Sequence, residues 1–182
     1  MKKLLAPVTL SILAGLLSAC SSTDSAPVRS ASEPALPQAS ALLAPTQGNT
    51  VQGTVIFKQE KDGSIRVTAE VSGLTPGSHG FHIHEKGDCS APDASSAGGH
   101  FNPHGTPHGK AGEGTHHVGD LPSLEAGADG NANLNVVLNS LMLDGDHGIV
   151  SRGLIVHANP DDYSQPVGNA GARVACAVIQ KD

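Results

Sequence analysis

Apolar residues alternate with polar ones in several short runs, and nowhere recur with helical spacing over a useful length. Residues 51–59 (VQGTVIFKQ) and 64–72 (SIRVTAEVS) carry alternating apolar side chains, the mark of strands with one buried face. The intervening Glu60-Lys61-Asp62-Gly63 is a turn sequence, so the pair predicts a β-hairpin. A second turn at residues 72–77 leads into an extended stretch over residues 79–85. Residues 131–139 (NANLNVVLN) alternate again after an Asp129-Gly130 turn, and residues 153–157 and 173–180 supply the last strands. Short strands punctuated in this way predict an all-β sandwich or barrel.

The pattern fails between residues 79 and 120, and there the composition changes too. This stretch holds eight of the ten histidines of the 182-residue chain, on backbone rich in Gly and Pro. A long irregular segment this dense in ligands is functional more often than connective. The chain as a whole has 22 Gly, 12 Pro, no Trp and 2% aromatic residues, which suits many turns around a modest aliphatic core in one domain.

Residues 1–19 read as a signal peptide rather than as part of the fold. Lys2 and Lys3 precede an apolar run from Leu4 to Leu17, too short for the roughly 20 residues of a membrane-spanning helix. The run ends Leu17-Ser18-Ala19-Cys20, which resembles the lipobox of bacterial lipoproteins, in which Cys20 would be lipidated. Residues 20–45, mostly Ser, Ala and Pro, read as a disordered tether, and the folded domain is expected over residues 46–182. With Cys20 lipidated, Cys89 and Cys176 remain as a pair, and export to an oxidising compartment makes them a disulfide. The chain-entropy model gives such a long loop about 4–5 kcal/mol. Removing the signal leaves 9 basic against 17 acidic residues, a formal charge of −8. That excludes nucleic acid and anionic membrane surfaces as partners, so contact with a membrane comes only through the anchor.

His82 and His84, two apart on a strand, point to one face about 6–7 Å apart and can reach one ion. Two histidines are a weak signal, since the same alternation can put both in solvent. His100, His108 and His117, with Asp120 three residues further on, offer three imidazoles and a carboxylate, a sensible closed tetrahedral zinc shell. Imidazole-rich sets without thiolate suit Cu(II) or Zn rather than Mg or Ca. His157, far along the chain, ends a strand from which it could approach His82 and His84.

Five motifs, GFHIHEKGDC, GGHFNP, HHVGDLP, LDGDHGIVSRGLIVH and GNAGARVACAVI, together resemble the Cu,Zn superoxide dismutases, in the family's order from Val51 to Ile179. The lipobox points to a bacterial exported member. The resemblance implies a Greek-key β-sandwich or flattened eight-stranded barrel with long metal-binding loops. It implies dismutation of superoxide to oxygen and hydrogen peroxide by a redox-cycling copper, bridged through a histidine imidazolate to a structural zinc. The sandwich and the near-diffusion-limited chemistry belong to the family rather than to this chain's pattern. One copper would be held by His82, His84, His100 and His157, and one zinc by His100, His108, His117 and Asp120. His100, shared by both, and Arg173, three residues before Cys176, would be the catalytic residues. Asp161, four residues after His157, would accept hydrogen bonds from His82 and His108. Asp162 is its rival, and His116 that of His117. His79, His104 and His147 match no ligand position.

An anionic substrate meets an unfavourable field from a chain of charge −8, so guidance must be local. Lys86 and Lys110 are the candidates, with Arg173 at the bottom of the site. The expected place of action is the bacterial cell envelope, periplasm or cell surface, with the enzyme a monomer or homodimer. A copper-handling domain without turnover typically lacks a copper ligand or the arginine, and a copper-only dismutase lacks the zinc ligands; this chain has all of them.

Overall fold

The structure, a computed structural model, describes residues 35–182. Its strands are β1 (Gln38–Pro45), β2 (Gln52–Gln59), β3 (Ile65–Ser72), β4 (Gly77–His79), β5 (Phe81–His84), β6 (Leu124–Ala126), β7 (Ala132–Leu138), β8 (Gly153–His157), β9 (Arg173–Val178) and β10 (Gln180–Lys181). One 3-10 turn spans Ser95–Ala97, and no α-helix occurs among the described residues. None of these residues forms a helix long and apolar enough to cross a membrane.

All pairings are antiparallel, in the order β4-β6-β7-β3-β2-β1-β9-β8-β5, with β10 also beside β1. The two ends of that order, β4 and β5, are separated in the chain only by Gly80. One extended segment therefore pairs with β6 through its first half and with β8 through its second, and the sheet closes into a nearly complete barrel. β9 and β10 likewise continue one another along β1, Ala44 facing Cys176 and Ala39 facing Lys181. Counted as extended segments the strands number eight, as the resemblance implies. The chain leaves β3 for β4 on the far side of β6 and β7, then returns through those two to lie beside β3, a Greek-key return.

The β2–β3 hairpin forms in full register from Gln52↔Ser72 to Gln59↔Ile65. Its turn works because the Asp62 carboxylate accepts from the Ser64 N–H at 3.0 Å and Gly63 adopts φ +89°. Phe57, Val67, Phe81, Ile83, Leu154 and Ile179 meet in the main core.

One boundary needs correction. The stretch expected to be tether as far as residue 45 ends in strand β1, so the ordered domain starts earlier than residue 46. Ala39, Ala41 and Leu43 alternate inward there, at 0–2% exposure. Alanines between serine, glutamine and proline carry little periodic signal, and the strand is held by its partners β2 and β9. The short strands β4, β6 and β10 are likewise tertiary products, each completing a neighbour's ladder. The expected signal peptide and Cys20 lie outside the described residues.

The histidine-rich loop covers the other edge of β5. Ile83 N–H donates to the Gly119 carbonyl and Phe101 N–H to the Ile83 carbonyl, each at 2.8 Å, and Glu85 N–H to that of Gly99 at 2.9 Å. Isolated bridges join His82 to Asp120 and His84 to His100. All four residues of β5 are thereby buried, with Phe81 and Ile83 in the core and His82 and His84 on the opposite face, beneath the loop rather than in solvent.

Candidate metal centre

Two groups of side chains converge. The ligand atoms of His82, His84, His100 and His157 all lie within 4.8 Å of one another, and so do those of His100, His108, His117 and Asp120. His100 belongs to both. Its ring centre lies 4.1 Å from that of His82 and 5.2 Å from that of His108, and all seven residues are buried.

His157 reaches the first group because of a register shift between β8 and β9, beyond which it pairs with Arg173. Backbone or carboxylate acceptors then set each imidazole's tautomer. His84 Nδ1 donates to the Gly98 carbonyl at 2.9 Å, His157 Nδ1 to the Gly171 carbonyl at 3.1 Å, and His82 Nε2 to Asp161 at 2.7 Å. The opposite nitrogens, His84 Nε2, His157 Nε2 and His82 Nδ1, are buried without a hydrogen-bond partner, as is His108 Nδ1. An unsatisfied buried polar atom costs about 1–3 kcal/mol. Three of them converge in the first group and one lies in the second, and such clustered, unpartnered lone pairs are the signature of cation ligation.

In the second group, Asp120 Oδ1 lies 3.0 Å from His108 Nδ1, 3.1 Å from His100 Nδ1 and 3.3 Å from His117 Nδ1. Tetrahedral zinc, with bonds near 2.0–2.1 Å, spaces its ligand atoms about 3.3 Å apart. The donor set and its spacing therefore fit zinc. The first group, four imidazoles and no thiolate, fits copper.

The protonation states fit too. Burial pushes His84 down to about 2 and His157 down to about 3, against the backbone hydrogen bonds each makes. His82 and His117 are lowered for the same reason. Burial pushes Asp120 upward, but hydrogen bonds from His100 and the N–H groups of His117 and Gly109 outweigh it and hold the carboxyl at about 2. Asp161 is lowered in the same way, its burial outweighed by His82 and His108. Neutral imidazoles and ionised carboxylates are the forms that metal ligation requires.

Asp161 accepts from both His82 Nε2 and His108 Nε2, at 2.7 and 3.0 Å, and so joins the two groups. Its rival Asp162 faces away and organises its own loop, accepting from Ser164 and Asn169. His116 is outside both groups, its Nδ1 2.7 Å from the His117 carbonyl. His79 is buried between the carbonyls of His157 and Thr75, and His104 packs against His147. None of these four histidines enters a ligand group.

A pocket of about 240 Å³ opens on the first group, walled by His84, His100, His157, Asn169, Gly171 and Arg173 among others. Arg173 is held by two backbone acceptors, Nη1 to the Ala94 carbonyl and Nη2 to the Gly98 carbonyl, both at 2.6 Å. The loop carrying those carbonyls is tied to β9 by the Cys89–Cys176 disulfide, which spans 87 residues of sequence. Cys89, Cys176, Ala94, Ala97 and Ile155 form a small separate core beneath that loop. Lys86 is exposed and outside the pocket wall; Lys110, also exposed, pairs with Glu113 at 2.6 Å. Sequence reasoning could not find the Gly98, Ala94 and Gly171 carbonyls, because a backbone acceptor has no residue signature.

A barrel carrying one four-histidine group and one three-histidine, one-carboxylate group, joined through a common histidine, defines a two-metal enzyme. A family model described as copper/zinc superoxide dismutase (SODC) matches residues 51–179. A curated relative, superoxide dismutase [Cu-Zn] of Onchocerca volvulus, is 45% identical over 148 residues, covering 75% of this chain and 93% of its own. The crystal structure of the clock protein EA4 superimposes with a TM-score of 0.73 at 38% identity, covering 81% of this chain and 96% of that one. The chain belongs to the copper/zinc superoxide dismutase family and is an oxidoreductase that dismutes superoxide with copper and zinc.

Proposed function

We propose that this chain is a lipid-anchored bacterial dismutase that removes superoxide outside the cytoplasm. Copper would be held by His82, His84, His100 and His157, and zinc by His100, His108, His117 and Asp120. The observation that carries the assignment is the pair of ligand groups meeting at His100, with Arg173 in the wall of the pocket above. The exported location is supported by the leader and lipobox at the N-terminus and by the Cys89–Cys176 disulfide.

When bound, copper supplies the one-electron exchange and zinc a fixed positive charge without redox chemistry. The chain supplies the rest. Arg173, rigid on two carbonyls, draws a small anion into the pocket and orients it. His100 presents Nδ1 toward Asp120 and its other ring nitrogen toward the four-histidine group, where it can hold a proton and pass it to the product. Two superoxide anions and two protons then leave as one oxygen and one hydrogen peroxide. Asp161 keeps the His82 and His108 rings fixed throughout.

The test is metal analysis with a superoxide-decay assay on wild type and His100→Ala. One copper and one zinc per wild-type chain, with activity lost in the variant, is expected; full activity in the variant overturns the shared role. For the anchor, Cys20→Ser should move the protein from the membrane fraction to the soluble one with its specific activity intact. Unchanged partition removes the lipoprotein reading.

A further inference from the structure

His108 lies in the irregular loop between residues 102 and 119, outside any strand, yet it is 3% exposed. Its position cannot come from a sheet ladder. A short segment from the other side of the site holds it at three places. Asp161 accepts from His108 Nε2 at 3.0 Å, on the ring edge. Tyr163 stacks on the ring face, with centres 6.2 Å apart and planes at 29°. Gln165 takes the backbone: its Oε1 accepts from the His108 N–H at 3.0 Å and its Nε2 donates to the His108 carbonyl at 2.8 Å. Three residues of one short irregular loop thus reach the ring edge, the ring face and the main chain of a single histidine.

The Gln165 contact satisfies both main-chain polar groups of His108 with one side chain, as a facing residue does in an antiparallel ladder. Without it, a donor and an acceptor at a buried residue lose their partners. The two hydrogen bonds also fix where the Cα of His108 sits, and hence where Nδ1 meets His100, His117 and Asp120. Glycines at 105, 109, 112 and 114 leave the rest of the loop little stiffness of its own.

We infer that Gln165 is a positioning residue for zinc, its side-chain amide standing in for a neighbouring strand to hold the backbone of His108. The inference rests on the proposed role of His108 as a zinc ligand. It makes residues 161–165 one device, of which Asp161 serves both groups while Tyr163 and Gln165 serve the zinc side alone.

The experiment follows zinc release from the full-length, copper- and zinc-loaded protein to a chromophoric chelator, for wild type, Gln165→Ala, Gln165→Glu and His108→Ala. The melting temperature of each metal-free form is the control for general loosening. Gln165→Ala should release zinc about ten-fold faster, the lower end of what outer partners of ligands contribute, with copper content and metal-free melting unchanged. Gln165→Glu keeps the acceptor but turns a carboxylate oxygen onto the His108 carbonyl, and should release zinc at least as fast as Gln165→Ala. Zinc release at the wild-type rate in either Gln165 variant overturns the inference. So does a metal-free melting loss large enough to account for the faster release. If His108→Ala itself retains zinc, the ligand assignment fails, and with it the basis of the clamp; if His108→Ala loses zinc while the Gln165 variants do not, only the clamp fails.

Discussion

His84 and Arg173 donate to the same acceptor, the carbonyl oxygen of Gly98, at 2.9 and 2.6 Å. One backbone atom thereby fixes both the tautomer of an imidazole in the four-histidine group and the pose of the guanidinium in the pocket wall. Gly98 sits at the end of the loop that the disulfide ties to β9, nine residues beyond Cys89. The pose of the Arg173 guanidinium and the His84 orientation are therefore mechanically coupled.

Replacing Arg173 tests the geometry as well as the charge. Arg173→Lys keeps a cation but cannot fork to the Ala94 and Gly98 carbonyls together. A charge-assisted hydrogen bond is worth about 1.5–3 kcal/mol, so Arg173→Ala should lower the second-order rate constant roughly ten-fold or more. Arg173→Lys should fall between it and wild type. Stopped-flow superoxide decay checks this, and a fully active Arg173→Lys would show that charge alone suffices.

Breaking the disulfide should cost stability and activity together. For its 87-residue separation the chain-entropy model gives about 4–5 kcal/mol, on the order of 10 °C in melting temperature for a domain of this size. The double variant Cys89→Ser with Cys176→Ser should also lose activity well below its melting point, because the Ala94 and Gly98 carbonyls loosen around Arg173. Calorimetry beside a rate measurement at 25 °C separates the two effects.

Among the lysines, Lys86 should matter more for steering than Lys110, whose charge is offset by Glu113 at 2.6 Å. Lys86→Gln should lower the second-order rate at low ionic strength and flatten its salt dependence, and Lys110→Gln should do so less. Equal rates for Lys86→Gln and wild type in dilute buffer would dismiss the lysine as a guide.

Acid should unfold the metal-free protein progressively. His84 and His157 titrate at about 2 and about 3 in the fold but near 6.5 in the unfolded chain. Between those values the unfolded state binds more protons, so stability falls as pH falls from about 6.5 to about 3, by up to about 1.4 kcal/mol per pH unit for each histidine. Asp120 acts in the same direction lower down. Its contribution is present above the ordinary carboxyl value and is lost as pH drops toward about 2. The melting temperature of the metal-free form should decline steadily with acidification, and a flat profile would contradict the neutral, buried state of these imidazoles.

Gly168 leaves room for the carboxylate that joins the two groups. It adopts φ +64°, and a Cβ there would fall on the Asp161 carboxylate and within 2.7 Å of His108 Nε2. Gly168→Ala should displace Asp161 and weaken zinc binding about 10- to 100-fold, read by competition with a chelator.

Much of this was legible in the chain. The alternation over residues 51–59 and 64–72 marked a hairpin that forms in full register, because a strand with one buried face must repeat every second residue. Side chains with ligand chemistry announced themselves by type, and His82, His84, His100, His108, His117, Asp120 and His157 all enter the two groups. β1 is hidden in the sequence because alanines and serines bury without a hydrophobic signature, and it occupies the last eight residues of the stretch that reads as tether. Gln165 is an exposed polar residue in a loop like many others in the sequence, and only its place against the backbone of His108 distinguishes it.

The sequence by itself determined which residues have ligand chemistry and which stretches must be strands, since both depend on side-chain type and local period. The resemblance already separates the eight histidines of residues 79–120 into five expected ligands and three others and adds His157 and Arg173. Only the tertiary structure decides how the five are gathered with His157 into two groups and how Arg173 comes to stand beside them. Those outcomes depend on barrel closure through Gly80, on a register shift, and on carbonyls such as that of Gly98. Backbone groups are chemically the same at every position, so only their place in space distinguishes them.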